Sequence, residues 1–371
     1  MPIAAVPKYF GTDFSKMPPG HRFNAFFPVW DAQSWMMPKE GAKTTALNSV
    51  LSFPDFKKQI EALSVRQNGL ATALQEQVLT LPAVSISPFM TGTGMEHPLE
   101  NGFAFLNPYG LPYLPGSSVK GVLRRTAELL VAGEFNGETH GWNQQVITAL
   151  FGLEPGKGED NSARGALIFW DVLIEPKDCK LGIDILTPHF SHYYFDSKTP
   201  HESGSPNPVP FLVVPPGAKF VFHVQCIPAL IADVALRNNW KTMIKIVLEH
   251  AFDWLGFGAK TASGYGQLQA DASALQKLEK QAIATAKAAM SPCEQALDKI
   301  NSVWGTEKES NRKQAGGPLD NVVGEEIKKA VGWIEADRRL LFDLAKQAMK
   351  WLGKDNKKIR EKLAPLNISE A

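Results

Sequence analysis

GFGAKTASGYG, residues 256–266, packs four glycines, a lysine, two hydroxyls and a tyrosine into eleven positions. A phosphate-binding P-loop needs GxxxxGKS or GxxxxGKT between a strand and a helix, so that backbone amides and the helix N-terminus surround a phosphate. Here Ala259 stands where the glycine before the lysine belongs, and the upstream glycine spacing differs. The loop also leaves an expected helix at about 231–254 and enters a short expected strand in GQLQA, 266–270. A dinucleotide GxGxxG fails for the same reason of order. Bound ATP or NAD is therefore not expected, and no other cofactor is suggested.

Working outward, QEQVLTLPAVSISPF (75–89) alternates at Val78, Leu79, Leu81, Val84 and Ile86, which suits a strand. In SSVKGVLRRTAELLVAG (117–133) the serines stand where an N-cap belongs, and Val119, Val122, Leu123, Leu129 and Leu130 form an apolar helical stripe that stops at Gly133. A second helix is expected near 142–151, then the loop GLEPGKGEDNSARG (152–165) and the strand GALIFWDVLI (165–174). LGIDILTPHF (181–190) reads as extended, 191–208 as a long polar loop, and PVPFLVVP (208–215) and AKFVFHVQCI (218–227) as two more strands. Strand, helix, strand, strand, helix, strand with insertions is the order of an α+β, ferredoxin-like (RRM-like) sheet with helices on one face.

Three segments follow. Residues 1–70, rich in Pro, Gly and aromatics up to about 48 and with a short helix expected at 54–64, read as a largely extended N-terminal extension packed on the core. Residues 71–270 carry the ferredoxin-like domain. From 271 to 371 the composition turns to Ala, Lys, Gln and Glu in helical patterns, a C-terminal bundle broken near 308–321.

The 44% hydrophobic content of the 371 residues can fill a core. No apolar run is long enough to span a bilayer, and MPIAAVPKYFGTDF lacks a signal-peptide pattern, so a cytoplasmic protein without membrane contact is expected. Cys179, Cys226 and Cys293 lie far apart with no CxxC spacing, which argues against both a disulfide framework and a thiolate metal site. Lys and Arg (39) almost cancel Asp and Glu (38), so any polyanion is held locally by a few placed residues and by backbone.

Two segments offer that chemistry. The opening loop supplies close backbone approach at Gly256, Gly258, Gly264 and Gly266, a cation at Lys260, donors at Thr261 and Ser263, and a ring at Tyr265, which suits a sugar-phosphate backbone with adjacent bases. The plain alternative is a tight helix-to-strand connection with incidental polar residues. In LPYLPGSSVKGVLRR (111–125), Ser117 and Ser118 lie at a helix N-terminus, and Lys120 and Arg124, four apart, share a helical face able to grip successive phosphates. A solvated helix face with a capping serine is the alternative there.

PYLPGSSVKGVLR (112–124) followed by GFGAKTASGYGQL (256–268) resembles the RAMP superfamily of CRISPR-associated proteins, whose hallmarks are a PGSSxKGxLR-like helix start and a C-terminal glycine-rich loop. GTGMEHPLENGFAFLNPYGLPYLPGSS (92–118), DILTPHFSHYY (184–194) and PVPFLVVPPGAKF (208–220) look like one branch, the sixth Cmr subunits of type III-B effector complexes. The resemblance covers about residues 78–270. It implies a ferredoxin-like fold and a non-enzymatic backbone subunit that holds guide (CRISPR) RNA toward its 3′ end, meets target RNA where the complex does, and sits beside other Cmr RAMP subunits in antiviral defence. By position, Ser117, Ser118, Lys120, Gly121 and Arg124 match the helix-start motif, and Gly256, Gly258, Lys260, Thr261, Gly264 and Gly266 the glycine loop. In the family both face RNA. Arg125 adjoins the first motif, and Ser263 and Tyr265 lie within the second.

His189, His192 and His201 fall close together, but no Cys or nearby Glu completes a metal set, since Asp196 and Glu202 lie in the polar loop. The alternative function is a metal-independent RAMP endoribonuclease using His189 or His192 as base. In Cmr complexes, however, target cleavage is attributed to a different RAMP subunit through a loop aspartate, and no motif places Asp184 or Asp196 at a scissile phosphate. His189, Tyr193 and Tyr194 are accordingly expected to stack on unstacked bases or to pack against a subunit. Trp333, Leu341, Phe342, Leu344 and Trp351 supply either the bundle's own core or an apolar interaction surface.

Overall fold

In a computed structural model the chain is described for residues 6–368 apart from 12, 32, 37–40, 154–161, 188–198, 200–207, 311, 312 and 315. It divides into two compact units, Met1–Leu275 and Gln276–Ala371.

The first unit opens with helices α1 (Pro19–Asn24), α2 (Ala42–Asn48) and α3 (Phe56–Leu74). The expectation of a largely extended segment is corrected here, because Phe23, Phe27, Val29, Leu47 and Val50 are buried in the same cluster as the sheet residues Leu81, Phe220 and Phe222. Arg22 fastens the segment by donating to the carbonyls of Ser49 and Ser52, and burial lowers its pKa. Helix α3 continues well past the expected end, since nothing between Ser64 and Leu74 breaks a helix except the tolerated Gly69.

Strand β1 (Val78–Ser85) follows, then β2 (Phe105–Leu106), β3 (Leu111–Leu114), and the helices α4 (Gly116–Val131) and α5 (Gln144–Phe151). A short ribbon, β4 (Gly152–Leu153) with β5 (Ala163–Arg164), leads to β6 (Leu167–Phe169) and β7 (Val172–Glu175), which share one run broken at Trp170-Asp171. Next come the paired β8 (Gly182–Leu186) and β9 (Val209–Val213), β10 (Lys219–Cys226), α6 (Val234–His250) and β11 (Leu268–Ala270). The main sheet runs β11-β1-β10-β7-β3-β2, with β6 also on β10, and every pairing is antiparallel. Counting only β1, β6/β7, β10 and β11, the order is fourth, first, third, second. That is the ferredoxin-like order, so the α+β expectation holds.

The alternation in β1 ends one residue early: Ile86 is 51% exposed, and its amide donates to Gln267 O instead. The insertion β2–β3 has a larger consequence. β3 pairs antiparallel to β7 (Leu114↔Val172), so it returns the chain down the sheet before α4 begins. Asp171, at the break between β6 and β7, accepts from the Gly116 amide at 2.8 Å and fixes that starting point.

On β10, His223 is 2% exposed and shares a 3.0 Å hydrogen bond between its Nδ1 and Thr80 Oγ1. Burial drives its pKa down to about 4. The unfolded imidazole takes up a proton below about 6.5 and the folded one only near 4, so the unfolded state binds more protons between those values. Stability is then full above about 6.5 and falls by up to about 3 kcal/mol as pH drops to 4. Urea melts of wild type and His223→Gln over this range should show that loss in wild type and a flatter profile in the variant.

In the second unit, helices α7 (Pro292–Glu309), α8 (Pro318–Lys329), α9 (Glu335–Trp351) and α10 (Asn356–Leu363) enclose a core that includes Ile300, Leu319, Val323, Leu341, Phe342 and Met349. Leu341 and Phe342 are thus interior, while Trp333, Leu344 and Trp351 are half-buried against that interior.

Candidate functional site

The loop 256–266 is held on the segment that leaves β1. Ala259 N donates to Met90 O (2.8 Å), Gly266 N to Pro88 O (2.8 Å) and Phe257 N to Gly266 O (2.9 Å). A Cβ on Gly258 would lie 2.2 Å from Met90 O, and one on Gly266 1.9 Å from Phe257 O. These two glycines therefore admit the chain's own backbone, as the plain helix-to-strand reading requires. Gly256 and Gly266 are buried and Gly258 is exposed, whereas a Cβ on Gly264 would face open space.

Tyr265 is turned inward. Its ring lies beside Phe211, with centroids 6.1 Å apart, in a small cluster with Met90 and Val213, and its hydroxyl donates to Asp184 Oδ2 at 2.7 Å. Burial, with the Asp184 contact, pushes the phenol up to about 12. Asp184 is occupied by this bond and by the Ile185 amide. Lys260 is the outlier: at φ 58°, ψ 34° it is left-handed without being glycine, and its carbonyl accepts from Ser263 N (2.9 Å) and Tyr265 N (3.4 Å). Such strain, of about 1–2 kcal/mol, is kept where it positions a group. Among the described residues the Lys260 ammonium has no ion-pair partner, and Thr261 is half-buried and Ser263 exposed beside it.

At the other segment Pro115, not a serine, occupies the N-cap of α4 and makes no side-chain cap. The expected serine cap is corrected: Ser117 and Ser118 sit inside the first turn, exposed, because Asp171 already satisfies the Gly116 amide. Arg124 is drawn to Glu128 (3.2 Å) and to Gly152 O (3.5 Å), and Arg125 reaches the same Glu128 at 3.5 Å. Lys120 carries no such pairing among the described residues. Gly121 is exposed, and a Cβ there would meet nothing within 4 Å. An interior helix glycine costs about 1 kcal/mol against alanine, and no packing inside the described chain requires this one.

Among the described residues the two segments attach to the sheet at different rows. The loop joins the sheet at the Ser85↔Leu268 row, whereas α4 starts beside Trp170, whose amide donates to His223 O on the Thr80↔His223 row. Five residues of β1, at about 3.3 Å each, separate these rows by roughly 16 Å. His189, His192, Tyr193, Tyr194, His201, Asp196 and Glu202 lie outside the described residues. Asp171, which seats α4, gave no local sequence signal, whereas Glu128 stands four residues after Arg124 and is legible as its partner.

Comparison with known proteins adds the decisive observation: the RAMP superfamily model matches residues 83–269, half of the chain. The chain belongs to the RAMP superfamily. The chain is similar to the CRISPR system Cmr subunit Cmr6 of Pyrococcus furiosus, at 24% identity over 230 residues, or 49% of this chain and 65% of that relative. The chain thus spans a little under two thirds of that relative's length. Similar solved structures include the type III-B Cmr-beta assembly bound to cognate target RNA (TM-score 0.45, 19% identity, 62% of this chain and 70% of that one). Another is Cmr6 from Pyrococcus furiosus (TM-score 0.30, 24% identity, 52% and 97%). No helix among the described residues is long and apolar enough to cross a membrane.

Proposed function

We propose that this RAMP protein is a non-enzymatic, RNA-binding backbone subunit of a type III-B Cmr effector, holding guide RNA toward its 3′ end beside other RAMP subunits. The observation that carries the reading is a pair of lysines, Lys120 and Lys260, one on each family motif and neither in an ion pair among the described residues, with open backbone at Gly121 and Gly264 next to them. Arg124 acts in this reading through α4, tying it to Glu128 and Gly152, and Tyr265 through the loop, tying it to Asp184.

Lys120→Ala with Lys260→Ala is expected to weaken binding of a single-stranded guide-length RNA and to reduce the slope of log K against log salt by about 1.4, roughly 0.7 for each phosphate no longer neutralised. An unchanged slope rejects both lysines as phosphate ligands. Gly121→Ala gives a second reading of the same surface: melting should show about 1 kcal/mol of added stability, while RNA binding falls because the methyl occupies the phosphate's approach. Incubation with labelled guide precursor in EDTA addresses the endonuclease alternative, which specific cleavage lost in His189→Ala or His192→Ala would establish.

A further inference from the structure

Helix α6 passes at its end into a π-turn, Ala251–Leu255, and this wider winding carries Trp254 outward, where it is 71% exposed. π-turns of this kind are often found at functional sites. The indole is the last ring of a column. Phe135, from the turn after α4, lies 6.0 Å from Trp254 and stacks on His250 at 4.8 Å and 17°, and His140 lies 5.7 Å from His250.

One exposed tryptophan is ordinary. Its surroundings here are not, because the residue before each of Phe135, His250 and Trp254 is acidic. Glu134, Glu249 and Asp253 lie beside them in sequence, and none has a basic partner among the described residues. Among the described residues Glu138 is paired only with His140, at 3.4 Å. Lys245, one turn before Glu249, makes no ion pair with it. Such a rim repels a phosphate backbone. It complements a flat cation, whose face lies on the indole while its edge donates to a carboxylate of the acidic residues that precede these rings in the chain.

We propose that the ring column ending at Trp254, with its carboxylate rim, is a docking surface for an arginine-bearing segment of a partner protein. Guanidinium fits better than ammonium because it stacks on a ring face while donating in its own plane and is weakly hydrated, whereas an ammonium is a compact, strongly hydrated point charge with no face to stack. The surface is independent of the RNA reading, since it involves neither Lys120 nor Lys260.

The full-length chain labelled with 5-fluorotryptophan tests this by fluorine NMR, in which Trp254→Phe identifies one of the nine tryptophan signals. N-acetyl-arginine amide should shift the Trp254 signal saturably, N-acetyl-lysine amide more weakly, and the neutral N-acetyl-citrulline amide hardly at all. Glu249→Lys with Asp253→Lys should weaken the arginine response about five-fold or more. Absence of a shift, an equal response to citrulline, or a response intact in the charge-reversed variant overturns the proposal. So does a stronger response to a single-stranded oligonucleotide, which would make the column a base platform. Lys120→Ala with Lys260→Ala should leave the arginine response unchanged even if RNA binding is abolished.

Discussion

Gly266→Ala is expected to cost more than about 4 kcal/mol of stability and to dismantle the loop that carries Lys260. Two effects combine. The residue sits at φ +71°, where a side chain is strained whatever the space around it, and its Cβ would fall 1.9 Å from Phe257 O. The obstructing atom cannot swing away, because it belongs to backbone. Phe257 is itself fully buried, with Phe222 and Phe252 at 5.0 Å and 5.7 Å, and its amide closes the loop by donating to Gly266 O. Relief would require moving the loop off Pro88 or moving Phe257 out of the core. Denaturant titration should show the fall in midpoint. Gly264→Ala is the control: its φ is also positive, but the space is open, so about 1–2 kcal/mol is expected. Equal losses in the two variants would mean that the close approach is unimportant and that only the left-handed backbone matters.

The difference between these glycines marks the boundary of what local sequence conveys. The strands β1 and β10 and the helices α4 and α6 were legible, because alternation and the 3.6-residue stripe are local signals and Gly133 marks a stop. The fold class followed from their order. The purpose of each glycine was not legible, since Gly258 and Gly266 are explained by Met90 O and Phe257 O, and Met90 is far away in sequence. Tyr265 looked available for stacking because nothing local points to Asp184 or Phe211. The N-cap of α4 went to Pro115 because a distant carboxylate, Asp171, took the role a serine would have filled. Phe135 and Trp254 meet only because α4 and α6 end side by side. In each case the missing information is tertiary, and it changes which residues are free to meet a ligand more than which elements form.

Asp320→Ala is expected to cost the second unit about 3–5 kcal/mol, because it leaves two partly buried lysines without their shared anion. Asp320 is 7% exposed in the first turn of α8 and accepts from Lys354, Lys362 and the Gly316 amide. Burial alone would raise its pKa, yet the hydrogen bonds from Lys354, Lys362 and Gly316 hold it down at about 2. The carboxylate is thus stabilised in the folded state, and its contribution is present above about 4 and disappears as pH falls through 2. It ties three parts of the bundle together: Lys354 follows α9, Lys362 lies on α10, and the Gly316 amide belongs to the chain entering α8. Hydrogen exchange on the full chain should show Pro318–Lys329 and Asn356–Leu363 losing protection in Asp320→Ala. If the destabilisation arises from stranded charge rather than from the absent carboxylate bridge, Asp320→Leu combined with Lys354→Met and Lys362→Met should recover most of it. A triple variant as weak as Asp320→Ala would instead mean that the ion cluster, by its geometry, is what holds α8, α9 and α10 in register.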